Sequence, residues 1–199
     1  MTKFTHLHVH SHYSMLDGMS KVSDLISKAK KQGMYSLALT DHGNMFGIKD
    51  LVDTSNKVNG KVKDAIKEQE AILNNDGATP EEKENAQYKI EELKGQIFKP
   101  IIGIEAYCAR RTLYDKDKNI KEINPETGHE RILDSSGWHH ILLAKNKKGY
   151  QSLCKLSSIA YTDGYYNRPR IDHNVLEQYH EGLIVCSACI GGEIPQLNK

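Results

Sequence analysis

The sequence predicts an α/β fold built on a mainly parallel sheet. Three observations carry that reading. Short apolar or β-branched runs recur at 35–40 (YSLALT), 99–107 (KPIIGIEAY), 138–145 (WHHILLAK) and 182–189 (GLIVCSAC). Stretches with helical spacing separate them, and strands that alternate with helices build parallel sheets. The run 99–107 is almost wholly apolar, as a strand covered on both faces must be.

Taken in order, Phe4–His10 alternates and is rich in β-compatible residues, which predicts a short first strand. Val22, Leu25, Ile26 and Ala29 then follow helical spacing, with Ser20 as the cap and Gly33 as the stop. YSLALT is the second strand, 41–47 a loop, and a helix follows to about Lys57. Residues 57–99 turn rich in Lys, Glu and Gln. Their apolar positions are Val58, Val62, Ile66 and Leu73, then Ala86, Ile90, Leu93 and Ile97. Between the two runs lies NNDGATPEE, a turn followed by a capping box of Thr79 and Glu82 with Pro80 at the first helical position. This predicts an antiparallel helical hairpin, inserted at 57–99 into a single domain of residues 1–199.

KPIIGIEAY is the third strand, and the polar, turn-rich 113–137 is a long loop or a small hairpin. WHHILLAK is the fourth strand, KKGYQSLCKLSSIAY a helix, TDGYYNRPRID a loop, NVLEQYHEG a short helix and GLIVCSAC a fifth strand. Five strands fall short of the roughly seven or eight that close a parallel barrel.

Composition narrows the function classes. With 38% hydrophobic and 27% charged residues the chain is globular, and its net charge of +1 gives no global basic field. Nucleic-acid contacts would need a local patch. No apolar run approaches the ~20 residues of a membrane span, and MTKFTHLHVH lacks the apolar core of a secretory leader, so the expected location is the cytoplasm. Cys108, Cys154, Cys186 and Cys189 are too few and scattered for a disulfide framework, which leaves thiols and one candidate metal ligand.

The chemistry concentrates in HLHVHSHYSMLDG (6–18), with four histidines and an aspartate. On a strand, residues two apart share a face, so His6, His8 and His10 are expected on one side, and His-x-His is a compact clip for a transition metal. In α/β folds the loops after the strands form the active site. There this chain places Asp17, Asp41 and His42, Glu105, His139–His140, and Cys186 and Cys189. A carboxylate inside PIIGIEAYC is costly unless paired or metal-bound. His139 and His140 alternate, so one of them faces the site. Cys186 is expected in the core and Cys189 at the strand exit, while His12, His129, His173 and His180 read as ordinary polar residues. Mixed imidazole and carboxylate donors suit Zn, Mn or Fe rather than Ca or Mg alone. More than four donors imply more than one ion, and clustered ions favour phosphate-ester hydrolysis by acidifying water and clamping phosphate oxygens. Two closely spaced pairs, Arg110–Arg111 and Arg168–Arg170, are candidate DNA-phosphate contacts.

The blocks HLHVHS, LDG, TDHG, GIE, WHHILLAK and SACIGGEIP, in that order, resemble the PHP (polymerase and histidinol phosphatase) superfamily. HSHYSMLDG, ALTDHGNMFG, GYQSLCKLSS and RPRID look most like the PHP domains at the N-termini of bacterial DNA polymerase III alpha subunits. The resemblance covers nearly the whole chain except 57–99 and about 113–136. It implies a distorted (β/α)7 barrel, incomplete over these residues, with divalent metals (Zn, Mn or Fe) at the C-terminal ends of the strands, about two to three in a complete domain. It implies His8, His10, Asp17, His42, Glu105, His139 and Cys189 as ligands, Glu105 as the bridging carboxylate, and Asp41 behind them orienting a ligand. Two further family ligands come from a later Asp-x-His motif absent from these 199 residues. The expectation is therefore an N-terminal fragment of a longer polymerase chain.

By that resemblance the full chain is a DNA-directed DNA polymerase. This domain is a metal-dependent phosphoesterase, expected to act as a 3′–5′ proofreading exonuclease. The implied partners are DNA and, through the longer chain, a proofreading subunit and a sliding clamp, with no membrane. Two alternatives stay open: a stand-alone phosphatase of the histidinol-phosphate type, and a non-catalytic platform that docks a separate proofreading subunit.

Overall fold

Residue Glu105 sits near the middle of the strand that organises the sheet. The computed structural model of the protein describes residues 4–123 and 128–197. Its elements are α1 (Val22–Lys31), β1 (Ser36–Leu39), α2 (Ile48–Leu73), α3 (Pro80–Lys94) and β2 (Lys99–Ala109). Then come β3 (Lys121–Ile123), β4 (Glu130–Ile132), β5 (Gly137–Ala144), α4 (Lys147–Thr162), β6 (Arg170–Ile171), α5 (His173–Gln178), β7 (Leu183–Cys186) and α6 (Glu193–Leu197). The first half of β2 pairs in parallel with β1, and its second half pairs antiparallel with β5. Tyr107 and Cys108 also take β6 in parallel, and β5 carries β7 antiparallel. The sheet is thus mixed, not mainly parallel. The link from β2 to β5 is the small β3–β4 hairpin rather than a crossover helix, so β5 can return antiparallel. Residues 124–127, between its two strands, lie outside the described residues. Among the described residues the strand order β1-β2-β5-β7 does not close into a ring.

The first strand is not formed. His6 makes one parallel bridge to Leu37, the chain bends at Leu7, and Val9 then donates its N–H to Thr40 Oγ1 while accepting from Thr40 N at 2.9 Å. The threonine side chain replaces a ladder bond, and the bend breaks the two-residue alternation. Ser20 is not the cap of α1 either: Lys21 holds that position, with no side-chain bond to the helix.

Helix α1 buries Val22, Ile26 and Ala29 in a core shared with Leu37 and Leu39 of β1, Ile48 and Leu51 of α2, and Phe98. Helix α2 does not stop near Lys57 but runs to Leu73. Its buried residues Ile48, Leu51, Ser55, Asn59 and Ile66 keep helical spacing across that point. The change in composition altered the exposed face and left the buried stripe intact. Thr79 and Glu82 cap α3 reciprocally, and α3 packs on α2 with Ala86 and Ile90 buried. On β2, Ile104 and Ala106 face α4 and join Leu142, Leu153 and Leu156 in a second core. Side chains alternate along a strand, so Gly103, Glu105 and Tyr107 face the other way. Among the described residues, no helix is long and apolar enough to cross a membrane.

Candidate metal centre

The backbone beyond β1 explains how His42 meets Glu105. Glu105 N donates to Asp41 O at 3.1 Å, and Gly43 N donates to Glu105 O at 2.8 Å. The 41–43 turn therefore continues the parallel pairing past the end of β1 and sets His42 opposite Glu105. Gly43 adopts φ +63°, and a Cβ there would lie 2.8 Å from Pro169 Cγ and 3.1 Å from the Tyr107 ring, so only glycine fits.

Four imidazoles converge on this one carboxylate. Glu105 is 1% exposed. Its Oε2 lies 3.2 Å from His8 Nε2, 3.0 Å from His10 Nε2 and 3.1 Å from His42 Nδ1, and its Oε1 lies 2.7 Å from His139 Nδ1. Asp17 Oδ2 stands 3.4 Å from His42 Nε2 and 3.9 Å from His10 Nδ1. The donor atoms fall into three overlapping groups, His8–His10–Glu105, His10–Asp17–His42 and His42–Glu105–His139, each with all atoms within 4.8 Å of one another. Cys189 Sγ is 3.6 Å from His139 Nδ1.

These residues fit a divalent cation. Glu105 Oε1 and His42 Nδ1 are buried and complete no hydrogen bond, although each has a polar neighbour at about 3 Å. Groups this close but not aligned with one another are aimed at shared points between them, as ligands are. A transition metal held there would satisfy both atoms.

Behind the ligand atoms lies a hydroxyl–carboxylate relay. Asp41 is buried and accepts from Ser11 N at 2.7 Å, Ser11 Oγ at 2.9 Å and Ser14 Oγ at 2.7 Å. Ser14 Oγ in turn lies 3.2 Å from His10 Nδ1 and accepts from His42 N at 3.1 Å. Asp41 thus reaches His10 through Ser14. The sequence reading passed over both serines. The available signal was two hydroxyls within four residues of the His-x-His clip.

Electrostatics follow from this crowding. Burial pushes the Glu105 carboxyl upward, but the close imidazoles of His10 and His139 and the charge of His42 outweigh it and hold it well below the usual carboxylate range. His10 is lowered by burial and raised more strongly by Glu105, Asp17 and Asp41, for a net rise. Burial lowers His42. Tyr107, also missed from the sequence, stacks 6.0 Å from the His42 ring and meets the His139 ring edge-on at 5.1 Å. Arg168 lies over Tyr107 and donates to its hydroxyl at 3.0 Å.

Several expectations are corrected. His6 does not share the side of His8 and His10; the bend at Leu7 turns it to a groove lined by Val9, Leu25 and Leu37. Cys186 is half-buried and packs against the core cluster of Ala38, Ile141 and Leu143. His173 is exposed and lies 3.1 Å from Glu193. Arg170 is fully buried and spends its guanidinium on the carbonyls of Gly164, Asp134, Leu113 and Asp115, so it cannot meet a DNA phosphate. Arg110 pairs with Glu122 and Arg111 with Asp134 and Asp115. Of the four arginines, Arg168 alone is exposed without a carboxylate partner among the described residues.

A mixed α/β sheet whose buried glutamate gathers four imidazoles at one rim defines a metal-site class of domain. Residues 6–199 match the PHP domain description, and the chain belongs to the PHP domain family. It is 45% identical over 196 residues to the DNA polymerase III subunit alpha of Borreliella burgdorferi, covering 98% of this chain and 13% of that one. The subunits of the same name from Campylobacter jejuni and Aquifex aeolicus are 38% and 35% identical over 194 and 190 residues, covering 98% and 95% of this chain and 12% of each of theirs. The chain thus spans about an eighth of the length of these relatives.

Proposed function

We propose that this chain is the PHP region of a bacterial replicative DNA polymerase III alpha subunit and that it carries a polynuclear metal centre able to hydrolyse phosphodiesters. The observation that carries the reading is the buried Glu105 with four imidazole nitrogens within 3.2 Å. The proposed ligands are His8, His10, Asp17, His42, Glu105, His139 and Cys189, for about two to three ions of Zn, Mn or Fe. Bound ions supply acidified water and neutralise phosphate oxygens. The chain supplies the rest. Glu105 is kept ionised in a buried place, Asp41 orients His10 through Ser14, and Arg168 on Tyr107 offers a cation beside the centre for a substrate phosphate.

The likeness to polymerase alpha subunits over nearly the whole chain favours a replicative setting over a stand-alone phosphatase. In that setting the full protein is a DNA-directed DNA polymerase in the cytoplasm. Its partners are DNA, a proofreading subunit and a sliding clamp. We read the open sheet as part of a distorted (β/α)7 barrel within one domain, 1–199, with 57–99 a helical insertion.

The test is elemental analysis with a Mn²⁺-dependent assay on single-stranded DNA, using this chain and a longer form. His10→Ala and Glu105→Ala are each expected to lose bound metal and cleavage. Unchanged metal content in both variants would overturn the ligand assignment. Metal without cleavage in the longer form would favour the docking platform.

A further inference from the structure

The loop between β7 and α6 has to bring Cys189 from the end of one strand to the side chain of another. It does so by reversing sharply. Ala188 takes φ +57°, and Gly192 N donates to Cys189 O at 2.8 Å. A Cβ on Gly192 would fall 1.9 Å from Ser187 O, so no other residue fits. The loop is tied to β5 by its backbone, His139 N donating to Gly191 O at 3.1 Å, and within the loop Gly191 N donates to Cys189 Sγ at 3.4 Å. The bond to Cys189 Sγ is exposed to water, and Ile190 beside it is 66% exposed. Exposed backbone bonds of this kind hold a loop weakly.

A side-chain tie lies one residue further on. Glu193 reaches back from the start of α6. Its Oε2 lies 3.2 Å from His140 Nε2, and its Oε1 lies 3.1 Å from His173 Nε2. His140 is buried, and among the described residues neither of its ring nitrogens completes a hydrogen bond, so the Glu193 carboxylate is the polar group that faces it. His139 and His140 are neighbours on β5 and point to opposite faces. The segment 189–193 therefore straddles the strand, with its thiol against His139 on one face and its carboxylate against His140 on the other. His173, at the start of α5, grips the same carboxylate from a second element.

We propose that Glu193, held between His140 and His173, is a positioning residue that sets Cys189 against His139. Its consequence for a bound cation rests on the metal-centre reading above; the grip itself does not. Without the carboxylate, a buried imidazole loses its polar neighbour and the loop loses its only side-chain anchor to both β5 and α5 among the described residues. Glutamine can serve in its place, because a neutral imidazole offers one donor and one acceptor and an amide can answer both. Alanine cannot.

The test uses two readouts on Glu193→Ala, Glu193→Gln and Cys189→Ser. Hydrogen exchange on the metal-free chain reports residues 187–192. The thiolate-to-cobalt charge-transfer band of the Co²⁺-loaded chain reports Cys189 at the ion. Glu193→Ala is expected to speed exchange in 187–192 several-fold with the rest of the sheet unchanged. It should also lose most of the thiolate band and bind Co²⁺ roughly tenfold more weakly, as loss of a group that orients a ligand does. Glu193→Gln is expected to restore both. Wild-type exchange in Glu193→Ala would overturn the proposal. So would a faster loop with an undiminished thiolate band, because Cys189 would then be held without Glu193. If the wild type and Cys189→Ser give the same cobalt spectrum, Cys189 is no ligand and that part of the metal reading fails. The exchange data then decide the positioning role alone.

Discussion

Asn59 and Phe98 meet as a backbone-like pair: Asn59 Nδ2 donates to Phe98 O and Phe98 N donates to Asn59 Oδ1, both at 2.8 Å. Asn59 lies in α2, and Phe98 is the last residue before β2. One side chain thus closes the base of the helical excursion and starts the strand that carries Glu105. Both residues are buried. Asn59→Ala is expected to cost about 1–3 kcal/mol for each orphaned backbone group. The loss should appear as a lower urea midpoint, with Phe98→Ala costing roughly 3–5 kcal/mol for its cavity. An unshifted midpoint for Asn59→Ala would show that α2 and β2 are held elsewhere.

Ser14 is the hinge of the relay from Asp41 to His10. Ser14→Ala and Asp41→Asn are expected to weaken cation binding by roughly 10–100-fold, since both leave the donors in place but free the His10 ring. Competition with a metallochromic chelator measures this. Wild-type affinity in both variants would remove the relay from the account.

The shifts at His10 and His42 set a pH dependence. A cation must displace the His10 proton, and that proton is held above the ordinary value near 6.5. His42 is shifted downward and is free of its proton at lower pH. Affinity should therefore still be climbing above pH 6.5 as His10 deprotonates, with protons released on binding. Calorimetry in buffers of different ionisation enthalpy reads the released protons. A flat affinity across that window would contradict the His10 assignment.

Arg168 and Arg170 stand two residues apart and should behave in opposite ways. Arg170→Lys removes a buried fork that serves four carbonyls and is expected to cost about 3 kcal/mol or more of stability. Arg168→Ala should leave the melting temperature within about a degree of wild type, as an exposed substitution does, and weaken binding to single-stranded DNA. Thermal melts and fluorescence anisotropy at fixed salt separate the two. Equal melting losses would show Arg168 to be structural as well.

Thiol reactivity should divide the cysteines. Burial, with the charges of Glu193 and Asp172, pushes the Cys108 thiol up to about 12, and the residue is fully buried. Cys189 is exposed. Iodoacetamide on the metal-free chain should label Cys189 and spare Cys108 until denaturant is added, as peptide mass spectrometry would show. Early labelling of Cys108 would mean that the β2–β5 ladder opens readily.

Much of the site was legible because its chemistry is local. A carboxylate in the apolar run PIIGIEAYC and a His-x-His clip are anomalies that composition alone exposes, and Glu105, His8 and His10 do meet. The alternation of His139 and His140 was legible too, since a strand has a period of two whichever partner it takes. The arginines were not. Guanidinium groups look alike in sequence, and only the fold separates Arg170, spent on four carbonyls, from Arg168, open to water.

By itself the sequence determined most element types, the capping of α3 and the family, because these depend on contacts a few residues apart or on ordered motif blocks. Tertiary structure decided strand direction, the loss of the first strand to a single bridge at His6, and the grip of Glu193 by two histidines. Those outcomes depend on which surfaces meet across 20 or more positions of chain, as Glu105 and His8 do at a separation of 97. Pairings at that range are chosen by the packing of the whole sheet, and no local pattern encodes them.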